Sequence, residues 1–273
     1  MDRTVVGVTY WELQQQYKDA LSQCVNTLGP GWDVRWLETG GVTWCQFART
    51  VIALPNQGWK IHVSASASEA VGLCRSVLSW VLSERIPCKI AGNISSILRI
   101  NSGAVGESQT GKVLTVYPSD DTQAAKVAVE IDHRWNSTAG PAVPSDLALR
   151  PNGAVFLRYG GFASDTLVDR FGKVLPAVRQ ADGTLVEDYR STDGTQPTWA
   201  TPPLLGLTPA LSEWNGPFKR GQGQDAYLPL QLLHASPKGK VFLGLSIADV
   251  SEVLIKIARR GVGGVPRTDG RRP

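Results

Sequence analysis

Between residues 58 and 162, short apolar runs and helix-like stretches take turns along the chain, and this alternation limits the fold more than any other feature. GWKIHVS (58–64), IPCKI (86–90), KVLTVYP (112–118) and AVFLRYGGF (154–162) read as strands. Between them lie a helix capped by Ser66-Ala67-Ser68-Glu69 and running to about Arg85, a short helix NISSILRI (93–100), and a helix from Asp120 to about Trp135 with Gln123 at a capping-box position. A Ser/Gly-rich loop, NSGAVGESQTG (101–111), leads into the third strand. Such alternation argues for an α/β or α+β domain. The expected class is α+β, a mixed β-sheet with flanking helices and a short C-terminal β-rich segment.

The flanks are read the same way. The first 28 residues predict a helix, with Thr9 and Glu12 as a capping box and Leu13, Tyr17, Leu21, Cys24 and Leu28 at helical spacing. VRWL and TWCQFA, on either side of Gly40-Gly41, predict two short strands, and this part of the chain reads as support. From about 163 to 226 Gly, Pro and Asp-Gly pairs dominate, which predicts extended, loop-rich chain wrapping the first domain or leading out of it. YLPLQLL, GKVFLGLS and VLIKIA then predict three further strands, followed by a basic, disordered tail.

Composition excludes several classes. The chain has 273 residues, 42% of them hydrophobic and 19% charged, which is globular rather than disordered. A net charge of +4 suits an anionic ligand but lacks the concentration of a nucleic-acid binder. No apolar run approaches the roughly 20 residues of a membrane span, and the N-terminus turns polar too early for a secretory signal. Cys24, Cys45, Cys74 and Cys88 show no C-x-x-C spacing, and His62, His133 and His234 are far apart. The expectation is a cytoplasmic protein, no nucleic acid or membrane partner, no metal and no cofactor.

The candidate chemistry is cationic. Alternation in 59–64 sends Trp59, Ile61 and Val63 to one face and Lys60, His62 and Ser64 to the other. Two potentially cationic groups one residue apart repel unless an anion lies between them, although a solvated edge strand would read the same way. Lys89 sits mid-strand among apolar residues, where desolvation lowers a lysine's pKa towards the range of a base. Lys112 opens the next strand, Arg158 lies inside FLRYGG, and Arg99 ends the short helix. If these strands share a sheet, the charges converge on a dianion such as a phosphate monoester.

GWKIHVSAS, the Lys of IPCKI, the LRINSG run, GKVLTVYP and FLRYGGF, in that order, resemble the N-terminal lyase domain of class III and class IV lanthipeptide synthetases, itself similar to effector phosphothreonine lyases. The specific motifs cover about 55–165, and the looser likeness extends from the N-terminus to about 220. The resemblance implies β-elimination of phosphate from phosphoserine or phosphothreonine in a precursor peptide, giving dehydroalanine or dehydrobutyrine. It implies Lys89 as base, His62 as acid, and Lys60 as a phosphate ligand that also steadies the enolate-like charge. Lys112 and Arg158, with Arg99 behind them, would hold phosphate oxygens, and Tyr117 or Tyr159 would donate a hydrogen bond. The implied partners are a phosphorylated leader–core peptide and kinase and cyclase activities, in cis or in trans.

The domain expected from this resemblance spans 1–220. Residues 221–273 resemble the start of a protein-kinase N-lobe, with Lys256 in VLIK at the place of the nucleotide-binding lysine, though without a full G-x-G-x-x-G, an H-R-D or a D-F-G. A small β extension fits the same residues. The chain would then be a fragment of a synthetase or a naturally shortened lyase. Two other functional classes fit the cations and the C-terminal piece: a phosphopeptide-binding module, and a regulatory remnant of a kinase-containing synthetase.

Overall fold

The structure, a computed structural model, describes residues 9–51, 53–137, 139–162, 165–210, 218–219, 226–259 and 261–262. Helix α1 (Tyr10–Asn26) starts at the Thr9 cap, where the Thr9 hydroxyl accepts from the Glu12 amide and the Glu12 carboxylate answers the Thr9 amide. Residues 1–8, the start of the predicted helix, lie outside the described residues. Strands β1 (Trp32–Thr39) and β2 (Val42–Arg49) form a hairpin, and β3 (Gln57–Val63) follows. The helix expected after it is a broken one: a 3₁₀ turn (Ala67–Glu69), α2 (Ala70–Leu73), a π turn (Cys74–Leu78) and α3 (Ser79–Ser83). Ser76 and Ser79 donate their hydroxyls to carbonyls four residues back, at 2.7 and 2.5 Å, which loosens a helix at that point.

Next come β4 (Cys88–Ala91), α4 (Ile94–Asn101), β5 (Leu114–Val116), α5 (Asp121–Arg134), β6 (Leu147–Ala148) and β7 (Val155–Gly161). Asn93 and Asp120 cap α4 and α5 through their side chains. The segment expected to be loop-rich holds a small antiparallel sheet of β8 (Thr166–Val168), β9 (Val174–Arg179) and β10 (Leu185–Glu187), then β11 (Thr208–Pro209) and β12 (Phe218–Lys219). One Asp-Gly pair, read as loop, is a tight turn of that sheet: Asp182-Gly183 joins β9 to β10, and Gly183 there, like Gly172 between β8 and β9, adopts positive φ. The rest of that segment, 211–217 and 220–225, is outside the described residues.

The main sheet has the order β1–β2–β4–β5–β3–β7–β6–β11, and every pairing in it is antiparallel. β5 slots between β3 and β4, so those two strands run in the same direction without touching. The class is α+β. One face of the sheet carries Trp59, Ile61, Val63, Cys88, Ile90, Leu114, Val116, Val155 and Leu157, all buried in one continuous apolar core with α1, α5 and the broken helix. Tyr17 of α1 locks onto it by donating its hydroxyl to the Ala91 carbonyl at 2.5 Å. The four cysteines are free and buried, and burial pushes the Cys45 thiol up to about 12.

The C-terminal strands β13 (Ala226–Ser236), β14 (Gly239–Ser246) and β15 (Glu252–Ala258) form a separate antiparallel sheet with β12. An ion pair of 2.5 Å between Arg259 and Glu107 ties this sheet to the main body. The basic tail, 263–273, lies outside the described residues. No described helix is long and apolar enough to cross a membrane.

Candidate active site

Strand alternation puts Lys60 and His62 on the face of the main sheet opposite the apolar core, and register gives them neighbours there. Lys60 pairs with Arg158 of β7. His62 pairs with Thr115 of β5, which in turn pairs with Lys89 of β4. Directly opposed residues share a face, so Lys89, Thr115 and His62 form a row across three strands. β3 is an interior strand, and Lys60, His62 and Arg158 are 8%, 4% and 3% exposed, which excludes the solvated-edge reading. Lys112, on the loop before β5, leans into the same space.

Together with Trp44, Gln109, Tyr117 and Arg190, these residues line one cleft with about 370 Å³ of empty space, partly open to solvent. Thus Lys60, His62, Lys89, Lys112, Arg158 and Tyr117, dispersed over a hundred positions of sequence, meet. Three other expected residues lie elsewhere. Arg99 lies in the last turn of α4 and its guanidinium packs against the turn at Gly41, where an added Cβ would stand 2.9 Å from it. Tyr159 follows Arg158 in β7, so alternation turns it to the other face, where Gln57 donates to its hydroxyl at 3.0 Å. Lys256 is exposed on β15 of the C-terminal sheet, away from the cleft-lining residues.

Two carboxylates, absent from the sequence reading, organise the cations. Asp146 is fully buried beside β6 and bridges two of them: His62 Nδ1 at 2.5 Å and Lys112 Nζ at 3.1 Å. Ser145 completes the network, accepting from Lys112 at 2.9 Å and donating to Asp146 at 2.8 Å. Asp188 follows β10 and receives the Arg158 guanidinium, which also donates to the Tyr189 carbonyl at 3.2 Å. Arg190 reaches the cleft from the same segment. Nothing in "PSDLAL" or "EDYR" marks these aspartates as functional; only the fold brings them to the cations. Trp44, on a strand read as support, lies under the Lys89 ammonium, whose nitrogen is 4.5 Å from the ring centre.

The cleft carries an excess of positive charge. Five lysine and arginine side chains line or enter the cleft against two carboxylates. Burial, resisted by Asp188 and reinforced by Arg158, pulls Lys60 down to about 7. Burial brings Lys89 to about 8, with Arg190 adding to the fall, and brings Lys112 to about 8 despite Asp146. His62 is pushed down to about 3 by burial and by Lys112 and Lys60, outweighing its carboxylate. Burial raises the Asp146 carboxyl, but Lys112 and His62 more than offset this, and it stays ionised well below the usual range. The resting imidazole is therefore neutral, with its proton on Nδ1 towards Asp146 and the Nε2 lone pair free.

The profile of the RamC N-terminal domain family matches residues 25–213, a span that holds the entire cleft. The chain belongs to the RamC N-terminal domain family. The probable SapB synthase of Streptomyces coelicolor is 31% identical to it over 210 residues, which make up 77% of this chain and 22% of that protein. The chain therefore spans under a quarter of that relative's length. A solved structure of an effector protein from Pseudomonas syringae pv. syringae strain 61 superposes with a TM-score of 0.40 and 10% identity, over 56% of this chain and 65% of that one, a likeness too distant to bear on the chemistry. The RamC match ends before the C-terminal sheet, and no kinase family is shown for Lys256 and its strand.

Proposed function

We propose that this RamC-type domain is a phosphoserine/phosphothreonine lyase of lanthipeptide biosynthesis, which eliminates phosphate from a precursor peptide to leave dehydroalanine or dehydrobutyrine. The observation that carries this reading is the convergence of buried, pKa-depressed lysines, an arginine and a carboxylate-oriented histidine on one cleft, within the stretch that matches a family with a synthase relative.

A phosphate dianion seated among Lys60, Lys112 and Arg158 supplies the negative charge those groups lack, and restores full protonation to the two lysines. Lys89 stands outside that ring, with Arg190 as its cationic neighbour and the Trp44 face beside it. That is where the α-carbon belongs, two bonds from the ester oxygen. At pH 7 a lysine of pKa about 8 is roughly a tenth neutral, so its free amine can accept the α-proton. As that C–H bond breaks, its electron pair forms the Cα–Cβ double bond, and the Cβ–O bond breaks with its pair going to phosphate. Lys60, two strands away on β3, steadies the charge building on the peptide carbonyl. His62 takes up its second proton once the dianion overrides the neighbouring lysines, and delivers it from Nε2 to the departing oxygen while Asp146 holds Nδ1. The peptide arrives phosphorylated, so kinase activity, in cis or in trans, precedes this step and a cyclase follows it.

Incubation with a phosphoserine peptide, followed by mass spectrometry, tests the reading. Loss of phosphoric acid to give dehydroalanine is the expected result. Recovery of plain serine would make the domain a phosphatase, and saturable binding with no change in mass would make it a phosphopeptide-binding module.

A further inference from the structure

A second cleft lies on the reverse side of the sheet, and the same strands build it. Trp59, Pro118 and Tyr159 line it, and each directly adjoins a residue of the cationic cleft: Lys60, Tyr117 and Arg158. β3, β7 and the end of β5 thus send one side chain to each opening.

Tyr159, Trp199 and Pro55, all half-buried, offer the apolar wall surface, the buried Trp59 and Pro118 form the floor, and Gln57, Ser119 and Thr201 add polar groups. Trp59 and Tyr159 stand edge to face with centres 5.7 Å apart. The Trp59 indole donates to the Thr201 carbonyl at 3.0 Å, whereas the buried indole N–H of Trp199 has no acceptor among the described residues. At the mouth, Asp120 and Asp121 open helix α5. Asp120 caps the Gln123 amide at 2.8 Å, and neither carboxylate is paired with a cation among the described residues. The positive end of the helix is met by the protein's own carboxylates, so this opening is negative where the other is positive.

Aromatic and proline walls receive extended peptide, whose backbone lies along the rings. A lysine or arginine stem lies flat on such a surface and places its charge at a carboxylate rim. A peptide carbonyl, met by a small turn of the Trp199 ring, would supply the missing acceptor. We propose that this groove binds an extended peptide segment bearing a basic side chain, and that the segment belongs to the same peptide whose phosphorylated residue enters the cationic cleft. The second half of this statement rests on the proposed lyase reaction; the first does not. Two openings of opposite sign on one sheet would then select substrates that carry a phosphate and, some residues away, a positive charge.

The test uses unphosphorylated, proline-containing decapeptides that differ at one position, Lys, Ala or Glu, titrated into the ¹⁵N-labelled protein. The Lys peptide should shift the indole resonances of Trp59 and Trp199, assigned with Trp199→Phe, and bind about tenfold more tightly than the Glu peptide by calorimetry. Asp121→Asn, at an exposed position whose side chain makes no hydrogen bond or ion pair among the described residues, should bring the Lys and Ala peptides to within about twofold of each other. Saturating inorganic phosphate should leave the Lys peptide's affinity intact. No movement of either indole resonance, or equal binding of the Lys and Glu peptides, would overturn the proposal. Elimination is scored separately on a phosphopeptide, so loss of the lyase reading and loss of the groove are distinguishable results.

Discussion

Lys60 and Arg158 stand directly opposite each other on neighbouring strands, both buried, with the nearest carboxylate, Asp188, bound to the arginine. Like charges in this position oppose each other across the sheet and destabilise it. The fold tolerates the pair because Lys60 gives up part of its charge, and that arrangement makes the cleft responsive to pH and to anions.

The first prediction concerns stability against pH. Lys60 falls to about 7, and Lys112 to about 8, from an ordinary 10.5. Between those values and 10.5 the unfolded chain binds more protons than the folded one, so stability rises with pH across that window. Urea unfolding at pH 7 and pH 9 should give a higher midpoint at pH 9, and a midpoint that falls instead would contradict the buried, depressed lysines.

Inorganic phosphate should act in the opposite sense. Its dianion favours the charged lysines, so it should raise the melting temperature most near pH 7 and least near pH 10. Arg158→Ala should remove most of this gain in a thermal-shift titration, whereas Arg99→Ala, at the Gly41 turn, should leave it unchanged.

Catalysis should depend on Lys89 and His62. Lys89→Ala and His62→Ala are each expected to lower elimination by about 10²- to 10⁴-fold, the usual worth of a general base or acid, with circular dichroism unaltered. The wild-type rate should climb as pH passes through about 8, where Lys89 loses its proton. Near-normal turnover by Lys89→Ala would move the base elsewhere, to Lys60 first.

Asp146→Asn should be the most damaging single change to stability. It leaves the buried Lys112 without its carboxylate and His62 without a fixed tautomer, and breaking a buried pair in this way costs about 3–5 kcal/mol. Denaturant unfolding measures the loss. In the surviving folded fraction, Lys112 should titrate below its present value of about 8, because the opposing Asp146 charge is gone.

Much of the cationic half of the site was legible in the sequence because strand alternation has a period of two. Knowing that 58–64 and 154–162 are strands is enough to put Lys60 with His62, and Arg158 opposite the direction of Tyr159. The same rule, applied to Arg158 and Tyr159 together, shows why both could not enter one cleft. The anionic half was not legible. Asp146 and Asp188 sit beside short strands with weak patterns, and their partners lie 84 and 30 positions away, a relationship set by the tertiary fold alone. Trp44 was missed for a related reason: β2 joins the cleft only because β4, carrying Lys89, pairs with it. The π turn at Cys74–Leu78 coincides with serine back-bonding within a stretch that reads as one continuous helix.

The small sheet of β8, β9 and β10 has a bearing on how the protein can be dissected. A fragment cut back to the motif-rich stretch, 55–165, would retain each recognisable signature yet forfeit Asp188 and Arg190, stranding Arg158 in the interior with no counterion. The segment poorest in sequence pattern is the one that closes the circuit of charge, and domain boundaries drawn by motif would sever it.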